Sequence, residues 1–506
     1  MTPQRADERL TTISTDESLN DSVSRGTRWL LGGRLISQFI TLATLAVLYR
    51  LVPQEEFGRF GMVIPVIYLL RVFVSFGLNA ATIQRLELSN EQVSGLFWFN
   101  TAAGVIVSVV TVGIAPLLGW IYRTDVVIPV TIALSGTALF IGLLTQHEAL
   151  LVRKMEMARV VTARMVSQVL AAIVAVVVAW REGGVWALVA QQYVELYVMF
   201  VMVWRMEPWR PVPWRYSGRI GDLVQFGSYH SLGGFMSSLY LTIDKLFLSL
   251  MMGASPSGRA IIGIYSQCFR IMTLPFYQVA GPISGMMLPA LSRAGSDSRK
   301  AGTLVTDFVR LAALILLPAS VGMFVVAPDL MESLGGRAWL PAGRVLAALA
   351  PAMIGLAALQ MTSVILTARG RVRLMCGLEM LAVVGVLIGC ALGYLWEGSL
   401  GNTGLAVAAG YSLVVTCLFA TAYLRLAMAS FESSILEPLG RLKRPAAAAL
   451  VMGAAVWLVR IWLVQQIPEA SLLRLAVLVG LGGVIYGLIA QPEIRWAREK
   501  FFQFNS

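Results

Sequence analysis

The sequence predicts an all-α polytopic membrane protein, and two features of its composition support this prediction. Of the 506 residues, 57% are hydrophobic and only 13% are charged, whereas a soluble globular protein carries about 25% charged residues. The apolar residues also fall into repeated runs of about 20, the length of helix that crosses a bilayer. We therefore expect about 14 transmembrane helices, in two pseudo-symmetric six-helix lobes followed by a C-terminal helix pair.

Each predicted span is an apolar run that ends at polar or basic residues. The connections between these runs are short, so we expect no soluble domain large enough to carry separate chemistry. The predicted spans are residues 28–49, 60–82, 95–118, 127–149, 158–180, 184–204, 226–252, 260–288, 304–327, 340–367, 373–396, 401–424, 445–464 and 471–489.

The spans divide the chain into four predicted parts. Residues 1–27 are polar and lack the apolar core of a signal peptide, so we expect a disordered cytoplasmic tail before a retained first helix. Residues 28–220 hold the N-terminal six-helix lobe and a cytoplasmic linker, and residues 221–430 hold the C-terminal six-helix lobe. Residues 431–506 hold a second linker, the last two helices and a cytoplasmic tail.

The net charge of +12 is explained by the loops of a membrane protein, and it predicts no nucleic-acid partner. Lys and Arg are enriched in the cytoplasmic loops of such proteins. When the loops are assigned alternately to two sides, one side holds about 25 of these cations and the other holds 6. We therefore expect both termini in the cytoplasm.

No pattern in the chain indicates catalysis or a cofactor. Cys268, Cys376, Cys390 and Cys417 are scattered through predicted spans, without the paired spacing of a disulfide framework or a zinc site. The sequence also lacks a nucleophile elbow, a phosphate-binding Walker loop and a zinc-protease motif. We therefore predict a protein that is not an enzyme and that needs no cofactor.

A faint internal repeat indicates that the two lobes are related. Gly26 and Gly33 open the first span, and Gly227 and Gly234 open the seventh with similar spacing. The segment 184–190 at the sixth span is echoed by 401–407 at the twelfth. Two repeated halves with a site between them are a common plan among transporters.

Two arginines lie too deep in predicted spans to reach water. Arg71 sits within the apolar run 60–81, and Arg270 within the eighth span. A cation at the centre of a bilayer costs about 2.5–3.5 kcal/mol even on insertion scales, and such residues usually face a protein-lined cavity. Five other cations within spans are close enough to an end for their long side chains to reach the surface: Arg164, Arg310, Arg344, Arg460 and Arg474.

The first span carries a polar stripe at helical spacing. Arg34, Ser37, Gln38, Thr41 and Thr44 follow steps of three and four residues and therefore share one face. The stripe is either the wall of a cavity or a surface for hydrogen bonds to neighbouring helices, and both interpretations stay open. Arg34 would lie at the cytoplasmic entrance of such a cavity.

Three acidic residues accompany these cations. Asp244 precedes Lys245 in the seventh span, and it is either a coupling residue for protons or cations or a charge partner for Lys245 or Arg270. Glu195, in the sixth span, could balance Arg71 or titrate during transport. Glu148 follows His147 at the end of the fourth span, where we expect a surface pair.

Two segments of the sequence are similar to a known family. One is RLVPQEEFGRFGM at residues 50–62, followed by Gly77 and by FWFN at 97–100. The other is GVWALVAQQY at residues 184–193, supported by IDK at 243–245 and GIYS at 263–266. Over the first twelve spans the chain resembles the polysaccharide transporter family of oligosaccharide flippases, within the multidrug/oligosaccharidyl-lipid/polysaccharide exporter superfamily.

This resemblance implies a function and a location. Members carry an undecaprenyl-diphosphate-linked oligosaccharide from the cytoplasmic to the outer leaflet of the bacterial inner membrane, for exopolysaccharide, capsule or lipopolysaccharide synthesis. They alternate between inward- and outward-open states around a cationic cavity. The resemblance makes Arg34, Arg71 and Arg270 candidate contacts for the diphosphate or for acidic sugars. Gln38 of the polar stripe and Lys245 of the seventh span are further candidate substrate contacts. It implies lipid-linked oligosaccharide and membrane lipids as partners, with a polymerase and a chain-length regulator as further candidates.

Two other functions compete with this one. A drug or cation antiporter of the same fold would need carboxylates in its cavity, whereas cations here at least match the acids at depth. A membrane-embedded oligosaccharide polymerase or ligase handles the same lipids but would carry a sizeable periplasmic loop, which the spacing of the spans does not allow.

Overall fold

A computed structural model describes residues 18–75, 82–83, 88–214, 234–294, 297–400, 404–429, 436–467 and 471–505. Within these residues the chain forms helices and no β-strand, which confirms the predicted fold class. The first half contains α1 (Ser18–Leu51), α2 (Gln54–Ser75), α3 (Asn90–Tyr122), α4 (Val127–Ser135), α5 (Thr137–Arg153), α6 (Met157–Trp180), α7 (Val185–Met206), α8 (Gly234–Tyr240) and α9 (Ile243–Met252).

The second half is also helical. It contains α10 (Pro256–Ala294), α11 (Ser298–Gly335), α12 (Leu340–Leu349), α13 (Ala352–Ala368), α14 (Val372–Leu400), α15 (Leu405–Leu413), α16 (Ala420–Ala429), α17 (Leu436–Gln466), α18 (Ser471–Ile489) and α19 (Gln491–Asn505). A short 3₁₀ turn, Arg337–Trp339, precedes α12, and a π-helical segment, Val414–Phe419, joins α15 to α16.

Each of the 14 predicted spans overlaps a helix of the described chain. Ten helices there are long and apolar enough to cross a membrane, or up to 12 if each of two bent pairs is one span. The bent pairs are α8 with α9 and the segment 337–349 with α13, each bent by 45°. The protein is therefore a multi-pass membrane protein, and the number 14 stays a prediction.

The helices form two compact units. The first contains Met1–Thr242 and Leu248–Ala260, and the second contains Ile243–Phe247 and Ile261–Ser506. The four predicted parts of the chain, with their boundaries at 27, 220 and 430, stay a prediction. The second copy of the opening glycine repeat, from Gly227 to Gly233, lies outside the described residues.

Small residues allow close helix packing within each unit, as is common in membrane bundles. In the first unit, a Cβ added to Gly142 of α5 would lie 2.5 Å from the carbonyl oxygen of Asn100 on α3. In the second, a Cβ added to Gly393 of α14 would lie 2.3 Å from the carbonyl oxygen of Ala406 on α15. Both contacts bring two backbones together, so larger side chains would push the helices apart.

Each copy of the second repeated segment contains a glycine with a positive φ. Gly184 has φ +51° immediately before α7, and Gly404 has φ +76° immediately before α15. Both are in the region that glycine adopts at least cost. Their ψ angles differ, −125° at Gly184 and +4° at Gly404, so the two turns share only the sign of φ, and the internal repeat stays a prediction.

The last three helices are held to α11 by apolar packing and by an ion cluster near each of its ends. Near its C-terminal end, Asp329 accepts hydrogen bonds from Arg460 of α17 and, at 2.9 Å, from Arg474 of α18. Arg474 also pairs with Glu332 at 2.7 Å. Near its start, Arg310 pairs with Glu493 of α19 at 2.6 Å.

Asp307 extends the cluster near the start of α11. It pairs with Arg441 of α17 at 3.3 Å and with Lys500 of α19 at 3.1 Å. Asp307 and Asp329 are about 33 Å apart along the helix at 1.5 Å per residue, close to the thickness of a bilayer core. The ion clusters therefore fix the C-terminal helices at two depths.

This arrangement corrects the expectation for three arginines. Arg310, Arg460 and Arg474 were expected to reach the membrane surface, but each pairs with a carboxylate of another helix. Arg474 is only 3% exposed. The distance of an arginine from the end of its span does not show whether a neighbouring helix carries a carboxylate. An arginine that pairs with such a carboxylate does not have to extend to the membrane surface.

Replacing Asp329 by alanine is expected to destabilise the protein by about 3–5 kcal/mol, because it removes the buried carboxylate that Arg460 and the buried Arg474 share. The fall in Tm would be measured on the purified protein in lipid nanodiscs. The matched control is Glu332→Gln, which removes a more exposed partner of the same arginine and should cost clearly less. An Asp329→Ala protein with the Tm of the wild type would contradict this account.

Candidate functional site

Arg71 lies in the last two turns of α2, and its guanidinium is largely enclosed. Its Nε and Nη2 atoms are buried and have no hydrogen-bond partner in the described part of the chain. The Cζ atom lies 5.4 Å from the centroid of the Tyr68 ring, and Glu195 and Tyr193 of α7 act on the charge electrostatically. Arg71 therefore has a counter-charge nearby and two donor nitrogens from which an anionic ligand could accept hydrogen bonds.

The α7 side of this site is held by aromatic packing. The Tyr193 hydroxyl donates a hydrogen bond to the carbonyl oxygen of Ala133. Phe140 of α5 contacts Tyr193, Tyr197 and Phe200 edge to face, with centroid distances of 6.1–6.2 Å. These contacts hold the aromatic side chains of α7 against α5, next to the residues that act on Arg71.

The two sequence segments that resemble the flippase family contact each other directly. Glu56 at the start of α2 accepts a hydrogen bond of 3.1 Å from the backbone N–H of Val185, the first residue of α7. A carboxylate at a helix N-terminus is favourable because the free N–H groups there carry partial positive charge. A Cβ added to Gly184 would lie 3.2 Å from the Glu56 carboxylate, so the glycine gives the carboxylate access.

Glu55, the neighbour of Glu56, holds the start of α10. It accepts hydrogen bonds from Nε and Nη2 of Arg259 at 3.0 and 2.7 Å. A Cβ added to Gly58 would lie 1.8 Å from the carbonyl oxygen of Arg259, so only glycine fits that position of α2. The glutamates and glycines of both segments thus set how α2 packs, and thereby where Arg71 lies.

A second charged cluster lies in the second unit, directly after the bend between α8 and α9. Lys245 Nζ lies 2.9 and 3.0 Å from the two carboxylate oxygens of Asp244, and the Tyr265 hydroxyl donates to Asp244 Oδ2 at 2.8 Å. Lys245 Nζ also lies 3.2 Å from the ring centroid of Phe269, a cation–π contact. Asp244 and Tyr265 are fully buried.

The structure therefore brings Asp244 and Lys245 together as a pair. Of the two partners considered for Asp244, Lys245 is the one in contact, and Arg270 has an exposed side chain that forms no ion pair within the described residues. Lys245 is 8% exposed, and Asp244 together with the Phe269 ring neutralises and covers it. This arrangement can balance charge within the membrane, and its role in transport stays a prediction.

The polar stripe of α1 is only partly described. Thr41 and Thr44 donate hydrogen bonds to backbone oxygens of their own helix, at 2.9 and 2.7 Å, which removes them as donors to other helices. Gln38 is half-buried. The side chain of Arg34 lies outside the part that the structure describes. The roles predicted for Arg34 and Gln38 stay predictions.

Two features were missed in the sequence. His147 is fully buried, stacked on Trp204 with ring centroids 4.2 Å apart, so the expected surface pair with Glu148 is wrong. Glu148 instead pairs with Arg164 at 2.7 Å. The aromatic partner of His147 comes from another helix, and no local pattern around the histidine signals it.

The second missed feature is an apolar groove with a volume of about 160 Å³ in the second unit. It takes residues from α11, α13, α16 and α17, and for that reason no single segment of sequence reveals it. We call it the α11–α17 groove, and it is lined by Val309, Ala312, Ala313, Leu316, Leu317, Ile354, Ala357, Ala358, Met361, Ala420, Thr421 and Leu442.

The fold and these charges define a class: a polytopic helical membrane protein with enclosed cations inside its spans. Residues 47–344 match the family described as "Polysaccharide biosynthesis protein", and the chain belongs to that family. This confirms the resemblance to the polysaccharide transporter family that the motifs at 50–62 and 184–193 indicated.

Two relatives and one solved structure illustrate the similarity. The lipopolysaccharide biosynthesis protein WzxC of Escherichia coli is 24% identical over 64% of this chain, and the succinoglycan biosynthesis transport protein ExoT of Rhizobium meliloti is 24% identical over 65%. The matches span 65% and 66% of the relatives' own lengths. The lipid II flippase MurJ, in an inward closed conformation, covers 93% of this chain and 98% of its own, with a TM-score of 0.68 and 12% identity. That similarity shows the fold.

Proposed function

We propose that the protein is a flippase that moves an undecaprenyl-diphosphate-linked oligosaccharide from the cytoplasmic to the outer leaflet of a bacterial inner membrane, by alternating access through a cationic cavity. The family is one of polysaccharide biosynthesis, and one relative, ExoT, is described as a succinoglycan biosynthesis transport protein. The product would feed exopolysaccharide, capsule or lipopolysaccharide synthesis. Both termini would lie in the cytoplasm, and the chain itself would catalyse no covalent step.

The observation that carries this proposal is the state of Arg71. A guanidinium within a span is costly, and this one keeps two enclosed donor nitrogens without a partner in the described chain. A diphosphate supplies pairs of acceptor oxygens, to which the planar guanidinium of arginine can donate two parallel hydrogen bonds. Arg34, Arg270 and Gln38 are further candidate contacts for the diphosphate or the sugars.

The α11–α17 groove supports the lipid part of the same substrate. Its lining is apolar except for Thr421, whose hydroxyl donates to the backbone oxygen of Cys417 at 2.7 Å. Within a bilayer, an isoprenoid chain binds such a groove through van der Waals packing rather than through exclusion of water. We assign the groove to a segment of the polyprenyl tail, because its lining is apolar and it takes residues from four helices.

The acidic residues take different roles in this proposal. Asp244 is the charge partner of Lys245, because the two are in direct contact and both are buried. Glu195 is the candidate for coupling, since it lies close enough to Arg71 to sense a bound anion. A polymerase and a chain-length regulator of the same pathway would receive the translocated oligosaccharide.

The experiment is deletion of the gene in the native host. If the protein is the flippase, the polyprenyl-diphosphate-linked oligosaccharide should accumulate by at least about tenfold and stay inaccessible to a membrane-impermeant sugar oxidant added to spheroplasts. A plasmid copy should restore both polymer export and accessibility. Unchanged levels and accessibility of the lipid-linked oligosaccharide in the deletion strain would refute the proposed function.

A further inference from the structure

A cavity of about 710 Å³ lies at the turn between α3 and α4, at the end of the first unit that we expect to face away from the cytoplasm. Its lining combines an indole ring, a guanidinium, a hydroxyl and a carboxylate with apolar surface. The lining residues are Gly119, Trp120, Ile121, Arg123, Thr124, Asp125 and Leu250. Its volume is within the range of small-molecule sites.

The turn itself has a defined backbone geometry. The N–H of Arg123 donates to the Trp120 carbonyl at 3.3 Å, and the N–H of Thr124 donates to the Gly119 carbonyl at 3.0 Å. These two bonds form a Schellman motif, whose left-handed residue is usually glycine. Here that residue is Arg123, with φ +54° and ψ +39°. A residue with a long charged side chain thus occupies a position where the backbone conformation favours glycine.

The charged groups of the cavity are available to a ligand. Arg123 and Asp125 are exposed, and neither forms an ion pair within the described residues. Trp120 is 76% exposed. A cavity that exposes a flat aromatic face beside separated donors and acceptors is suited to a ligand with apolar C–H faces and many hydroxyl groups.

We propose that this cavity is a docking site for the sugar rings of an oligosaccharide. The Trp120 ring would stack against the C–H face of a pyranose, since aromatic faces attract positively polarised edges. Arg123 offers donors and Asp125 offers acceptors, which together match neighbouring hydroxyls that each donate and accept. The inference rests on the proposed function for the identity of the glycan, and it adds a site separate from Arg71.

The role of this cavity follows from the side of the membrane on which we expect it to lie. The count of basic residues places the α3–α4 turn opposite the cytoplasmic loops, on the face where a translocated oligosaccharide emerges. A weak sugar site there would hold the glycan after its release from the cationic residues.

The experiment measures binding of a defined oligosaccharide probe to the full chain in lipid nanodiscs, by saturation-transfer NMR. The probe is the oligosaccharide released by mild acid from the polyprenyl-linked pool of the native host. Binding is measured in the wild type and in an Arg71→Glu protein, so that a site at Arg71 does not mask the cavity. We expect Trp120→Ala and Arg123→Gly each to raise the Kd at least about tenfold in the Arg71→Glu background, where binding at Arg71 is removed.

Two matched controls separate a sugar site from a membrane anchor or a folding defect. Trp180, at the end of α6, is 77% exposed and lies outside the cavity lining, so Trp180→Ala removes an equally exposed indole. Glu182 occupies the left-handed position of another Schellman turn, with φ +59°, so Glu182→Gly makes the same backbone change. Both controls should bind the probe as the wild type does.

The outcomes are distinguishable. Absence of saturation transfer in the wild type, unchanged affinity in the two cavity variants, or equal loss in the controls would each overturn the docking site. If gene deletion traps the lipid-linked oligosaccharide and the cavity variants still bind normally, the docking site alone is refuted. If deletion leaves the pool unchanged while the cavity variants lose binding, the flippase assignment fails and the sugar site stands.

Discussion

Charge reversal at Arg71 is expected to abolish polymer export, to below about a tenth of the wild-type level, while the protein still inserts into the membrane. A glutamate there would repel a diphosphate and would add a second carboxylate beside Glu195. Arg71→Lys should keep part of the export, because lysine retains the charge but lacks the planar fork. Export is measured as polymer recovered from the culture, normalised to protein in the membrane.

Arg344→Glu is the control for charge reversal, since Arg344 is exposed on α12 and has no assigned role. It should export polymer normally. Wild-type export from a well-inserted Arg71→Glu protein would remove Arg71 from the substrate site.

Removing one member of the Asp244–Lys245 pair is expected to destabilise the protein by about 3–5 kcal/mol, because the other charge stays buried alone. The double variant, Asp244→Leu with Lys245→Met, should recover most of this loss, since replacing a whole buried pair by apolar side chains is often neutral. Tm values in nanodiscs give the stability of the single and double variants. Tyr265→Phe is a milder control that removes one hydrogen bond to the Asp244 carboxylate, worth about 1.5–3 kcal/mol.

Export by the double variant then separates the two roles considered for Asp244. Normal export is expected if the pair only balances charge within the membrane. A double variant that is as stable as the wild type but exports nothing would assign Asp244 or Lys245 a direct part in transport.

The helices follow from hydropathy because burial in a bilayer is a property of each segment alone. All 14 predicted spans therefore overlap helices of the described chain. One of the two 45° bends falls at Pro351, inside the tenth predicted span, where a proline removes a backbone hydrogen bond and kinks a helix. The bend between α8 and α9 was not predicted, since it depends on packing. The cluster of Arg474, Asp329 and Glu332 was missed for a related reason: its partners are 142–145 residues apart in sequence.

The candidate site, too, was predicted from the sequence only in part. The predicted depth of Arg71 in the span 60–82 marked it as a candidate from sequence alone, because the cost of a charge depends on its distance from water. The contact of Asp244 with Lys245 could be considered because the two are adjacent, but only the structure adds Tyr265 and Phe269. The motif at 50–62 was visible as a resemblance, and its physical basis, the contact of Glu56 with Val185, emerged only from the fold.

The central claim is translocation of a lipid-linked oligosaccharide, and reconstitution tests it most directly. Purified protein is placed in liposomes that carry a fluorescent undecaprenyl-diphosphate oligosaccharide in both leaflets, and a membrane-impermeant quencher is added outside. We predict that wild-type protein makes the inner-leaflet pool accessible, whereas Arg71→Glu protein leaves it protected, as in liposomes without protein. If wild-type liposomes protect the inner pool as fully as protein-free ones, while the reconstituted protein is folded, the account is wrong.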